Sequence, residues 1–131
     1  MTGLAIFAHG SSVSGANDQV KMVTAQLAAR GNFSLIETAF LELAEPDLAE
    51  ASRRLVERGA TSIVVVPYFL TLGIHLRRDL PRIVDELRLI YSDIEFRITE
   101  PLDGHPALVD ILLARAEQAF HGSSNSASTI D

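Results

Sequence analysis

The chain has 131 residues, 47% of them hydrophobic and 21% charged, and its 11 basic against 17 acidic side chains give a formal charge of −6. A chain of this size builds one ordinary apolar core and has no room for a second full domain. The acidic balance argues against binding to phosphate backbones or anionic lipid. Cysteine is absent, which excludes disulfide scaffolds, cysteine metal sites and thiol nucleophiles, and fits a reducing cytoplasm. The opening Met1 to His9 lacks a basic leader, and the apolar run Ile63 to Ile74 is broken by Pro67, Thr71 and Gly73. The expectation is therefore no export signal and no bilayer span.

In chain order, short β-branched runs alternate with amphipathic stretches of helical length, the pattern of βαβ units around a parallel sheet. Leu4 to Ala8 reads as the first strand. A helix follows over Ala16 to Arg30, with Val20, Val23, Leu27 and Ala28 toward the sheet, and Gly31 ends it. Phe33 to Leu41 reads as the second strand. Pro46 opens the next helix, whose inward face is Leu48, Ala51, Leu55 and Val56. Ser62 to Val66 is an unbroken β-branched run, the mark of a central strand covered on both faces. A long loop, Pro67 to Asp79, leads to a helix over Leu80 to Tyr91 with Ile83, Val84, Leu87 and Ile90 inward. Ile94 to Thr99 is the fourth strand, and Pro106 to Phe120 the last helix, which His105 starts. The expected architecture is a single doubly wound α/β domain over residues 1–121 with a four-stranded parallel sheet. Residues 122–131 form a polar tail too poor in apolar side chains to pack.

Three residues able to bind a metal or move a proton, His9, Glu42 and His75, follow successive strands at intervals of 33 residues. That spacing is close to one strand, helix and return, so it predicts that all three emerge at the carboxyl edge of the sheet, where open α/β folds bind ligands. Two imidazoles and a carboxylate suit a divalent first-row metal and leave positions open for substrate. The bland alternatives are loop histidines with ordinary partners and a Glu42 that caps the helix near Pro46. In the long loop, Tyr68, Phe69 and Leu70 offer a surface for a flat apolar ring, and Arg77 and Arg78 place positive charge beside His75. Equally, those aromatics extend the core and the arginines pair with Asp79 and Asp85. Gly10 allows a sharp turn after the first strand, and the amides around Ser11 are placed to meet an anion. No Walker A, dinucleotide or nucleophile-elbow pattern is present, so no nucleotide is expected.

Taken together, His9-Gly10-Ser11, Ala39-Phe40-Leu41-Glu42, Pro67-Tyr68-Phe69-Leu70 with Gly73 and His75, Asp79-Leu80-Pro81, and Gly104-His105-Pro106 resemble the short-form sirohydrochlorin chelatases. These class II chelatases are metal-inserting lyases of sirohaem and cobalamin synthesis, and the resemblance runs to about Phe120. It implies a domain equal to half of the larger two-domain chelatases, a homodimer that completes the cleft, and a cytoplasmic enzyme acting without ATP. It implies His9 and His75 as metal-site histidines and Glu42 as their acidic companion. The substrates implied are a tetrapyrrole and a divalent metal, Co2+ or Fe2+, with Ni2+ also compatible with such ligands. Arg77 and Arg78 would then hold the carboxylates of the tetrapyrrole, with Ser11, Tyr68, Phe69 and Leu70 beside it. The family often has Arg where this chain has Ser12. Two readings of other classes compete: a non-catalytic metal or tetrapyrrole carrier using the same residues, and a phosphoryl-transfer enzyme with His9 as nucleophile, which lacks the arginines it would need nearby.

Overall fold

Strands and helices alternate without exception in the computed structural model, which describes residues 1–121: β1 (Thr2–Ala8), α1 (Ser14–Gly31), β2 (Ile36–Phe40), α2 (Leu48–Glu57), β3 (Ser62–Pro67), α3 (Ile74–Ile90), β4 (Glu95–Ile98) and α4 (Ala107–His121). They fall into two compact units, Met1–Pro101 and Leu102 onward. The expected polar tail, 122–131, lies outside the described residues.

In the first unit the four strands pair in the order β2-β1-β3-β4, all parallel, with Phe7 level with both Ala39 and Pro67. One face carries Ala5, Phe7, Ala39, Ile63, Val65 and Phe96, which bury against Leu48, Ala51 and Leu55 of α2 and Leu80, Val84 and Leu87 of α3. Each large side chain of that layer stabilises the fold by roughly 1.5–3 kcal/mol. Because strand side chains alternate, Thr38 and Phe40 point the other way. There Thr38 donates its hydroxyl to Thr24 Oγ1 of α1 at 2.9 Å, and the Lys21 ammonium lies 5.9 Å from the Phe40 ring centre. Helices thus flank both faces, as the alternating sequence pattern requires. The chain leaves β1 toward β2 and leaves β3 toward β4, so the sheet's switch point lies between the carboxyl ends of β1 and β3.

Several expected boundaries and faces differ. Pro46 does not open α2. It precedes Asp47, whose Oδ1 accepts the Glu50 amide at 2.9 Å as a helix cap. Val64 and Val66 are only half-buried, so β3 is covered fully on one face rather than two. Ile90 is exposed, and the inward stripe of α3 is completed by Leu76 and Tyr91 instead. The largest difference is the start of α3. It begins at Ile74, with Gly73 as its cap, and encloses Pro81, so His75, Arg77, Arg78 and Asp79 are helical. Proline is a start signal at a first helical position, but inside a helix the packing of Leu76, Leu80 and Val84 outweighs the one lost hydrogen bond.

In the second unit His105 Nδ1 accepts the Ala107 amide at 3.0 Å, so His105 starts α4 as the sequence suggests. No helix among the described residues is long and apolar enough to cross a membrane.

Candidate metal and ring site

The parallel ladder between β1 and β2 continues past the strand ends. The Leu41 amide donates to the Ala8 carbonyl at 2.8 Å and the Glu42 amide to the His9 carbonyl at 3.1 Å. These bonds set His9 and Glu42 side by side through the main chain, and His9 Nε2 lies 3.5 Å from Glu42 Oε2. Gly10 makes that approach possible. It sits at φ +91°, and a Cβ there would come within 1.8 Å of the Glu42 carbonyl oxygen, a contact no alanine could accept. After Glu42 the chain turns through Leu43 at φ +64° and closes on itself where Phe40 N–H meets the Pro46 carbonyl at 2.8 Å.

His9 Nδ1 lies 3.0 Å from the Gly10 carbonyl. A carbonyl only accepts, so Nδ1 carries the proton, which leaves Nε2 as the nitrogen able to offer a lone pair. Such a backbone bond is the usual means of orienting a metal-binding imidazole. The lone pair and the carboxylate therefore face each other with side chains 58% and 55% exposed, an arrangement that attracts a cation between them. Phe69 stands beside them. Its ring meets His9 edge-on at 6.4 Å and rests on Phe7 at 5.9 Å.

His75 reaches the same place by another route. It is the second residue of α3, not the residue after a strand, so its 33-residue interval from Glu42 does not reflect an equivalent position. It nevertheless lines one hollow of about 330 Å³ with His9, Leu41, Phe69, Gly73, Ile74, Leu76 and Asp79. The Arg78 guanidinium, which only donates, is 3.4 Å from His75 Nδ1. Among the described residues no three His, Asp or Glu side chains are gathered closely enough to hold one ion. The structure joins His9 to Glu42 and places His75 in the wall of a hollow that His9 also lines.

The other expected contacts are placed variously. The Ser11 amide donates to Asn17 Oδ1 at 2.9 Å, the Asn17 amide group donates to the Ser11 carbonyl at 2.8 Å, and Ser11 Oγ accepts the Val13 amide at 3.0 Å. Ser11 thus shapes the turn, with its amide already engaged. Tyr68 is half-buried, its amide donating to Phe7 at 2.7 Å, and Leu70 is exposed. Arg77 is exposed, as is Arg78, whose Nε is 3.4 Å from Asp79 Oδ1. Sequence reasoning missed Asn17, which no motif marks, and missed Asp79 as a wall of the hollow. The position of Asp79 four residues after His75 would have revealed it had the helix been started at Ile74.

A second cavity of about 500 Å³ lies along the same loop, lined by Glu42, Glu45, Asp47 and Glu50 together with Arg54. Hydrogen bonds from Arg53 first, then Arg54, hold the Glu50 carboxyl down at about 2 from its ordinary 4.5.

Comparison with known proteins gives the family. The chain is 37% identical over 120 residues to the sirohydrochlorin cobaltochelatase of Sulfolobus acidocaldarius, covering 92% of this chain and 94% of that one. A cobalamin biosynthesis CbiX protein from Marinobacter aquaeolei superposes with a TM-score of 0.82 at 26% identity, over 94% of this chain and all of the other. The sirohydrochlorin chelatase SirB of Bacillus subtilis subspecies spizizenii, solved with cobalt, superposes with a TM-score of 0.83 at 26% identity, over 89% of this chain but 50% of SirB. The CbiX family model matches residues 3–119, nearly the whole of the described chain, and with a relative this similar over almost its full length the chain belongs to the CbiX family.

Proposed function

We propose that this chain is a metal chelatase that inserts a divalent cation, Co2+ or Fe2+, into sirohydrochlorin without a nucleotide. The observation that carries the reading is the His9–Glu42 pair, with His9 Nε2 3.5 Å from the carboxylate, beside a hollow that His9 shares with His75 and Phe69. The sirohydrochlorin cobaltochelatase relative supports the identity of the reaction. The metal is a substrate here. Insertion replaces two pyrrole N–H protons by M2+, and the enzyme must both hold the ion and surrender it. A closed four-ligand site would retain it, whereas two adjacent ligands with a third in the wall of the hollow form an open site suited to transfer.

In this reading His9 and Glu42 receive the cation, and His75 joins it when Arg78 leaves Nδ1 for a carboxylate of the tetrapyrrole. Arg77, fully at the surface, holds a second carboxylate. Phe69 supplies a wall for the ring, and Tyr68, Leu70 and Ser11 border it. The hollow holds about 330 Å³, at the low end for a ligand site, so it receives an edge of the macrocycle. A second copy of the chain encloses the rest. The match to 50% of SirB supports this, since two copies would equal one such chain, and two-fold pairing is the commonest assembly. The match through residue 119 supports residues 1–121 acting as one domain. The cytoplasm is the compartment that suits a cysteine-free chain of this charge.

The test is anaerobic incubation of the protein with sirohydrochlorin and Co2+ or Fe2+, followed by the visible spectrum. Turnover well above the protein-free rate is expected, and competing metals present together rank the physiological ion. A rate no faster than the protein-free control refutes the chelatase and leaves a metal or tetrapyrrole carrier.

A further inference from the structure

We propose that Asp79 is the group that takes the pyrrole protons, a catalytic role separate from the three metal-holding side chains; this rests on the chelatase reading above. Asp79 lines the hollow with His9, Phe69 and His75. It lies one turn beyond His75 on α3, about 6 Å along the axis and on the same helix face. Its side chain is 34% exposed, against 58% for that of His9. Its two oxygens differ. Oδ1 receives Arg78 Nε at 3.4 Å and lies 3.6 Å from Arg82 Nη2, while Oδ2 meets no hydrogen-bond partner among the described residues. The two arginines therefore aim the carboxylate and leave one oxygen to accept a proton.

The chemistry needs such a group. A nitrogen or oxygen whose lone pair is committed to a divalent cation is a poor simultaneous base, and the cation repels an arriving proton. A carboxylate in the same hollow but outside the His9–Glu42 pair avoids both difficulties. At each of the two N–H nitrogens the N–H bond breaks as the metal–nitrogen bond forms, its electron pair passes to the new bond and the proton goes to Asp79 Oδ2, while the other two ring nitrogens bind through lone pairs they already have. Partial exposure lets Asp79 release that proton to water before accepting the second. Two protons leave for each M2+ inserted, and no oxidant or reductant is involved.

The experiment compares wild type, Asp79→Asn, Asp79→Ala and His75→Ala by Co2+ titration and by insertion rate, with formate added to the Asp79→Ala protein. The expected result is a fall of about 100-fold or more in kcat for Asp79→Asn, with Co2+ affinity within twofold of wild type. Formate, a small carboxylate that fits the space left by the side chain, should restore the rate of Asp79→Ala in proportion to its concentration and leave His75→Ala unaffected. Wild-type turnover in Asp79→Asn, a parallel loss of Co2+ binding, or the absence of rescue by formate would overturn the assignment. Those outcomes leave the chelatase reading standing so long as wild type turns over and His75→Ala does not. A wild type without turnover would remove both.

Discussion

Replacing Gly10 by Ala tests whether the main chain sets the metal pair. The new Cβ would lie 1.8 Å from the Glu42 carbonyl oxygen, about half an ordinary contact, so the two loops must separate. The backbone at φ +91° adds a cost of roughly 1–2 kcal/mol for any L side chain. Separation also breaks the Glu42 amide to His9 carbonyl bond, a further loss of about 1 kcal/mol. The whole, about 3 kcal/mol, lies within the 5–15 kcal/mol of a typical domain, so the variant folds. Gly59 provides the control. Its φ of +106° is equally unfavourable to alanine, yet nothing lies within 4 Å of the added carbon. Gly59→Ala should therefore cost the backbone portion alone and leave Co2+ binding intact, while Gly10→Ala weakens Co2+ binding at least tenfold. Urea unfolding and Co2+ titration of both proteins measure the two effects. If Gly10→Ala binds Co2+ as tightly as Gly59→Ala, the backbone approach does not position the pair and the reasoning fails.

His75→Ala should lower insertion by about 100-fold or more, since even partners behind a metal ligand are worth 10–100-fold, with an unchanged unfolding midpoint because the side chain is exposed; steady-state rates and thermal melts decide it. Val65→Asp places an unpaired charge at a position 0% exposed, a loss of about 3–5 kcal/mol or more, and should yield a protein with a sharply lowered urea midpoint or none that folds. The depressed carboxyl of Glu50 makes the fold sensitive to acid. The unfolded chain binds the proton more readily, so this contribution is present above pH 4.5 and is lost as pH falls toward about 2. Glu50→Gln should flatten the pH dependence of urea stability in that interval, and an unaltered slope would show that the Arg53 and Arg54 bonds do not persist in solution.

Much of this was legible in the linear sequence because it depends on local pattern. The four strands fall on β-branched or apolar runs, and the helices on stripes such as Leu48, Ala51 and Leu55, where periodicity and burial have the same cause. His9 and Glu42 were readable as neighbours because each lies just past the carboxyl end of a strand, β1 for His9 and β2 for Glu42. His75 was readable as a member of the site but not as a helical residue, since Gly73 and Pro81 are locally signals of a loop and only the tertiary packing of Leu76 and Leu80 extends α3 past them. The same error hid Asp79. Gly10 reads as a turn residue, yet its stringent requirement comes from the carbonyl of Glu42, 32 positions away, which no local pattern encodes. Ser52 was not expected inside. It is fully buried on α2 and its hydroxyl has no hydrogen-bond partner among the described residues, and its neighbours Ala51 and Leu55 explain its burial but not its choice.

The amide-to-carbonyl link between Glu42 and His9 is made by atoms common to every amino acid but proline. Location at this spot is consequently written in the polypeptide scaffold, and donor identity alone is written in the side group. A single codon change at position 42, to aspartate, histidine or glutamine, alters hardness and charge toward an incoming ion while leaving its address untouched. Substitution at this position therefore changes the donor without rebuilding the loop that presents it.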